Sequence, residues 1–67
     1  MEKIINQVNK FRSQAKATQQ ELADAVGVTR QTIIAIERGN YTPSVLLALK
    51  ISNFFNKSVE NIFTYER

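Results

Sequence analysis

The sequence predicts an all-α fold of five helices with at most a scrap of terminal sheet, forming a single domain over residues 1–67. Three observations carry this. Apolar residues recur with a period of about 3.6 along the whole chain. Thr18, Thr29, Ser44 and Ser58 each stand immediately before such a run, where a hydroxyl caps a helix. Gly27 and Gly39 follow two of the runs, where a chain must turn.

The elements follow in order. Ile4, Val8, Phe11 and Ala15 recur at helical steps, so the first helix is expected to offer one apolar stripe to the core. Thr18 caps the second helix, and Glu21, three residues on, completes a capping box. That helix starts at Gln19, places Leu22 and Val26 on one face and stops at Gly27, where glycine tolerates the positive φ of a tight turn. Ala23 leaves room for a close helix crossing, and Val28 plugs the space under the turn. Thr29 caps the third helix, whose Ile33 and Ile36 face inward while Arg30, Gln31, Ile34 and Ala35 lie on other faces. Ser44, after Pro43, caps a fourth helix with Val45, Ala48, Leu49, Ser52 and Phe55 expected inward. Leu47, Ile51 and Phe54 form a second stripe on that helix, and a helix apolar on two sides generally has two neighbours. Ser58 caps a last short helix that turns Val59, Ile62 and Phe63 inward.

Two helices joined by a glycine turn, the second presenting polar residues from its first turn, form the arrangement that enters the major groove of DNA. Arg30 and Gln31 occupy that first turn. Each can make two hydrogen bonds to a base edge: arginine to guanine O6 and N7, glutamine to adenine N6 and N7. Thr29 and Thr32 can donate hydroxyls to phosphates or bases, although Thr29 has the alternative of capping alone. Ile34 either packs on a thymine methyl or merely shields its neighbours. Gln19 opens the preceding helix, where a helix N-terminus favours phosphate. Lys10 and Lys16 on the first helix read as ordinary solvated charges.

The run Thr18-Gln-Gln-Glu-Leu-Ala-Asp-Ala-Val-Gly-Val-Thr-Arg-Gln-Thr-Ile-Ile-Ala-Ile-Glu-Arg-Gly39, followed by Pro43-Ser44, resembles the Cro/C1-type (XRE, lambda-repressor-like) helix-turn-helix family of transcriptional regulators. The likeness extends from about Ile4 to Phe63, and the Tyr41-Thr-Pro-Ser loop is similar to that of small stand-alone members. The resemblance implies a lambda-repressor-like fold in which Arg12 and Glu37 form a buried ion pair tying the first helix to the third. It also implies that Gln19 bonds a backbone phosphate and braces the recognition helix. Arg38, Asn40 and Tyr41 fall in a loop that runs along the sugar-phosphate backbone in the family, where contacts position without specifying. Tyr41 has the alternative of packing on Pro43. Relatives of this size carry a small antiparallel sheet made from the chain ends, which here implies Lys3 to Ile5 and Ile62 to Tyr65.

One unit with two or three base-reading side chains discriminates poorly, so a two-fold homodimer on a palindromic operator is expected, with recognition helices about 34 Å apart. Leu47, Ile51, Phe54, Phe63 and Tyr65 are the candidate interface residues. The partner is double-stranded DNA read in the major groove, and the expected activity is repression. The competing readings are an antitoxin-type autorepressor and a protein-interaction module on the same fold.

Composition bounds the rest. A 67-residue chain buries only roughly 60% of its unfolded surface, which favours pairing. Without cysteine or histidine there is neither a disulfide framework nor an expected metal site, and no cofactor or small-molecule ligand is anticipated. An enzyme is disfavoured because the acids are scattered and no phosphate-cradling glycine loop is present. The net charge of +3 is compatible with a polyanionic partner. No apolar run approaches the roughly 20 residues a membrane span needs, and Met1-Glu2-Lys3 does not lead into a signal-peptide core, so a soluble cytoplasmic protein with no membrane partner is expected.

Overall fold

Hydroxyl caps set four of the five helix starts. The computed structural model describes residues 2–66. Its elements are β1 (Lys3–Asn6), α1 (Val8–Gln14), α2 (Gln19–Val26), α3 (Arg30–Glu37), α4 (Val45–Phe55), α5 (Val59–Ile62) and β2 (Phe63–Glu66). Thr18 accepts from the Glu21 N–H while Glu21 Oε1 accepts from the Thr18 N–H, the reciprocal capping box. Thr29, Ser44 and Ser58 accept from Thr32, Leu47 and Asn61 in the same way. The ends are as well defined. Gly27 takes φ +77°, and the N–H groups of Gly27 and Val28 both donate to Ala23 O, closing α2. A Cβ at Gly27 would meet nothing within 4 Å, so the glycine serves the left-handed backbone rather than space.

β1 and β2 pair antiparallel, with Ile4 opposite Tyr65 and Asn6 opposite Phe63. The first and last elements of the described residues therefore meet. Ile4 corrects one expectation: it belongs to this strand and is 43% exposed, not part of the first helix. Ala15, expected on the same stripe, is the exposed C-cap of α1. Helix α1 starts later than expected because Asn6 interrupts it, and it ends at Gln14, two residues before Lys16 takes a positive φ of 56°. The Asn6 side chain accepts from the Val8 N–H at 3.2 Å and donates to Ile36 O at 2.8 Å, so strand, helix and the end of α3 are joined through one carboxamide. Ile62 closes α5 and is fully buried, so the second strand begins one residue later than expected.

The core comprises Val8, Leu22, Ala23, Val26, Ile33, Ile36, Leu47, Ile51 and Ile62, with Phe11, Val28, Phe55 and Phe63 packed against it. Each fully buried leucine or isoleucine contributes roughly 1.5 to 3 kcal/mol of transfer free energy. Helix α4 departs most from its expected register. Leu47 and Ile51, assigned to a dimer interface, lie inside the protomer's own core, and half-buried Phe63 packs against that core as well. Val45 and Leu49, expected inward, are 77% and 53% exposed. Six of the first seven residues of α4 are apolar, so its pattern defines no single face. Its neighbours α2 and α5 make the choice.

Candidate nucleic-acid interface

The outer face of α3 is built on a polar junction between helices. Arg12 of α1 donates from Nε to Glu37 Oε2 at 2.7 Å and from Nη2 to Glu37 Oε1 at 3.2 Å, a bidentate pair. Its Nη1 also donates to Ala17 O at 3.0 Å, closing the turn after α1. Both side chains are largely shielded, at 15% and 7% exposure. Glu37 Oε1 accepts two further bonds, from Asn9 Nδ2 at 3.3 Å and Gln19 Nε2 at 3.2 Å. Burial pushes the Glu37 carboxyl up. The hydrogen bonds from Arg12, Gln19 and Asn9, with the charge of Arg12, outweigh that and hold it below the ordinary glutamate value. The hydrogen bond to Glu37, against a smaller desolvation effect, raises Arg12.

Several of the side chains expected to meet DNA lie beside this junction. Arg30 and Gln31 are exposed in the first turn of α3. Arg30 Nε donates to Gln19 Oε1 at 3.3 Å. Thr29 and Thr32 share a hydroxyl hydrogen bond of 3.1 Å, so both hydroxyls face the start of α3. A shallow concavity is lined by Gln31, Ile34, Ala35, Arg38 and Asn40, and a second by Asn9, Gln19, Arg30, Ile34, Glu37 and Arg38. Ile34 and Arg38 border both, which makes one continuous surface of the outer face of α3. Arg30 and Arg38 stand near its two ends, and among the described residues neither forms an ion pair. Tyr41 lies apart: it is 48% exposed and lines a hollow with Val26, Gly27, Val28, Leu46 and Lys50, beneath the α2–α3 turn.

Two participants are absent from the sequence reading, Asn6 and Asn9. Asn9 lies three residues before Arg12, and that helical spacing was the available signal. Asn6 offered none, because its acceptor is a backbone carbonyl thirty residues away.

Residues 8–62 match the family model described as "Helix-turn-helix". The chain is 51% identical over 61 residues to an HTH-type transcriptional regulator of Methanocaldococcus jannaschii, covering 91% of this chain and 92% of that protein. It is 48% identical over 61 residues, with the same coverage, to the HTH-type transcriptional regulator YgzD of Bacillus subtilis. Among solved structures, the clp gene regulator ClgR from Corynebacterium glutamicum superposes with a TM-score of 0.76 at 28% identity over 81% of this chain, which spans 57% of that protein's length. The restriction-modification controller protein C.AhdI from Aeromonas hydrophila shares the fold, with a TM-score of 0.75 at 22% identity over 81% of this chain and 82% of its own. The fold and the exposed α3 thus belong to a DNA-binding transcriptional regulator, of a family that binds double-stranded DNA and is not enzymatic. Within that class the chain is a member of the Cro/C1-type helix-turn-helix family. Among the described residues no helix is long and apolar enough to cross a membrane.

Proposed function

We propose that this protein is a cytoplasmic repressor that binds a palindromic operator as a homodimer. The observation that carries the reading is the outer row of α3, where Arg30, Gln31, Ile34 and Arg38 share a face backed by a helix pair with hydroxyl caps at both starts. Arg30, Gln31, Thr32 and Ile34 read bases. Gln19, Thr29, Arg38 and Asn40 hold the backbone beside that face, and Tyr41 meets it from the separate hollow beneath the α2–α3 turn. Gln19 uses one amide hydrogen on Glu37 and keeps the second for a phosphate.

A second copy pairs through the apolar side chains that α4 leaves in water, Val45, Leu46, Leu49 and Phe54, with Tyr65 of the chain-end sheet. Two-fold pairing places two recognition helices one turn of DNA apart, about 34 Å, and doubles the number of bases read. Selection of bound sites from a random duplex pool at about 150 mM salt tests the reading, because weak non-specific binding is suppressed there. A palindrome with half-sites about one helical turn apart is expected; a pool that stays random overturns sequence-specific reading. Transcription from a promoter carrying the selected site should fall when the protein is added, and an undiminished transcript overturns repression.

A further inference from the structure

Glu37 lies at the far end of α3 from Arg30, yet the two are joined through a single side chain. A carboxylate only accepts hydrogen bonds, and Glu37 Oε1 takes the amide nitrogen of Gln19 at 3.2 Å. That leaves the amide oxygen of Gln19 pointing outward, where it accepts Arg30 Nε at 3.3 Å. The reverse orientation would set a carbonyl against a carboxylate and an NH2 group against a guanidinium. Both neighbours therefore impose the same orientation. Asn9 and Arg12, donating to the same carboxylate from α1, hold Glu37 in the position from which it does so.

We propose that Glu37 is a positioning residue for base choice: through Gln19 it occupies the Nε–H of Arg30, so the arginine presents its two terminal nitrogens end-on to a guanine. This rests on the proposed DNA reading and names what sets its specificity. Freed from Gln19, Arg30 can also approach with Nε and one terminal nitrogen, or swing to a phosphate. Its preference for guanine over the other bases then falls. Asn9 acts one step further back, so its removal should act in the same direction and more weakly.

The test compares binding to four duplexes that differ only at the base pair read by Arg30, located beforehand as the position whose preference Arg30→Ala abolishes in selected wild-type sites. Gln19→Leu should lower the guanine preference there by roughly three- to tenfold, while the preference at the position read by Gln31 is kept. Glu37→Gln keeps one amide oxygen able to accept from Gln19, so it should lower the guanine preference in the same direction but less. The pair Glu37→Gln with Gln19→Glu reverses donor and acceptor and still offers Arg30 an oxygen. It should recover the guanine preference even if total affinity falls because the negative charge, unchanged in number, now stands at the outer position that faces the phosphates. A uniform loss of affinity in Gln19→Leu with an unchanged base ratio overturns the proposal, as does a double variant no better than Glu37→Gln. Gln19→Leu keeps the test decisive should Glu37→Gln melt too low for binding measurements. If the wild type selects no sequence, DNA reading itself fails; if it selects one and the ratios do not move, only the role of Glu37 fails.

Discussion

The junction of α1 with α3 and the packing of α4 hold one fold together by opposite means. At the first, a single carboxylate gathers hydrogen bonds from Arg12, Gln19 and Asn9, each with a fixed direction. At the second, Leu47 and Ile51 enter a core of aliphatic side chains in which no polar residue is buried among the described residues. The difference teaches what each region can do. Directional bonds fix where Gln19 and Arg30 stand, at the cost of intolerance to any lost partner. Non-directional burial supplies stability and tolerates exchange of one apolar shape for another.

The largest effect should come from breaking the directional junction. Glu37→Ala strands the Arg12 guanidinium among shielded neighbours and should lower stability by roughly 3 to 5 kcal/mol in denaturant titration. Replacing both partners together, as Arg12→Met with Glu37→Leu, should cost far less, because no charge is left unpaired. A double variant as unstable as the single one would mean that packing, not charge, holds the junction. Acid titration probes the same carboxylate. Its value is lower in the folded than in the unfolded chain, so its contribution is full above the unfolded value and is lost as pH falls through the folded one. Wild-type stability should therefore decline on acidification below the ordinary glutamate range, and Glu37→Ala should lose that part of the slope.

The apolar region should respond differently. Ile51 is fully buried, and Ile51→Ala should cost about 2 to 5 kcal/mol, whereas Ile51→Leu should cost under about 1.5 kcal/mol. Neither change should alter the acid slope. A pH-dependent penalty at Ile51 would show that the two regions are coupled and would break the comparison.

This contrast also explains which parts of the structure were legible beforehand. Between Thr18 and Gly39 the determinants are local: a hydroxyl three residues from the amide it caps, a glycine at a positive φ, isoleucines three apart. The placement of Arg30 and Gln31 at the start of an exposed helix follows from those alone. In α4 almost every early position is apolar, so burial was decided by α2 and α5, and Leu47 was exchanged with Leu49. The polar junction was readable only through family resemblance in its Arg12–Glu37 pair. Asn9 was within reach of that pair only through its helical spacing from Arg12, whereas Asn6 bonds a carbonyl 30 positions away, a separation at which side-chain spacing along one helix says nothing.

A smaller effect belongs to the caps, which stand between the two regimes. Thr29→Ala removes the acceptor for the Thr32 N–H at 3.3 Å and should cost about 1 kcal/mol in thermal unfolding, with Thr29→Asn close to neutral. If Thr29→Ala weakens DNA binding uniformly across sequences while Thr29→Asn does not, the side chain caps α3 and adds no base contact.

The smallest effect on the isolated protomer is expected where α4 faces water. Leu49 is 53% exposed, and Leu49→Ser should change protomer stability by no more than about 0.5 kcal/mol. The same change should be visible in association, because dimer stability depends on protein concentration and protomer stability does not. Wild-type melting temperature should rise with concentration and that of Leu49→Ser should rise less, while Ile51→Ala lowers it at every concentration. A concentration dependence that survives Leu49→Ser and Leu46→Ser together would move the pairing surface from α4 to the chain-end sheet, where Ile4, Ile5 and Tyr65 are the other large exposed apolar side chains brought to one place.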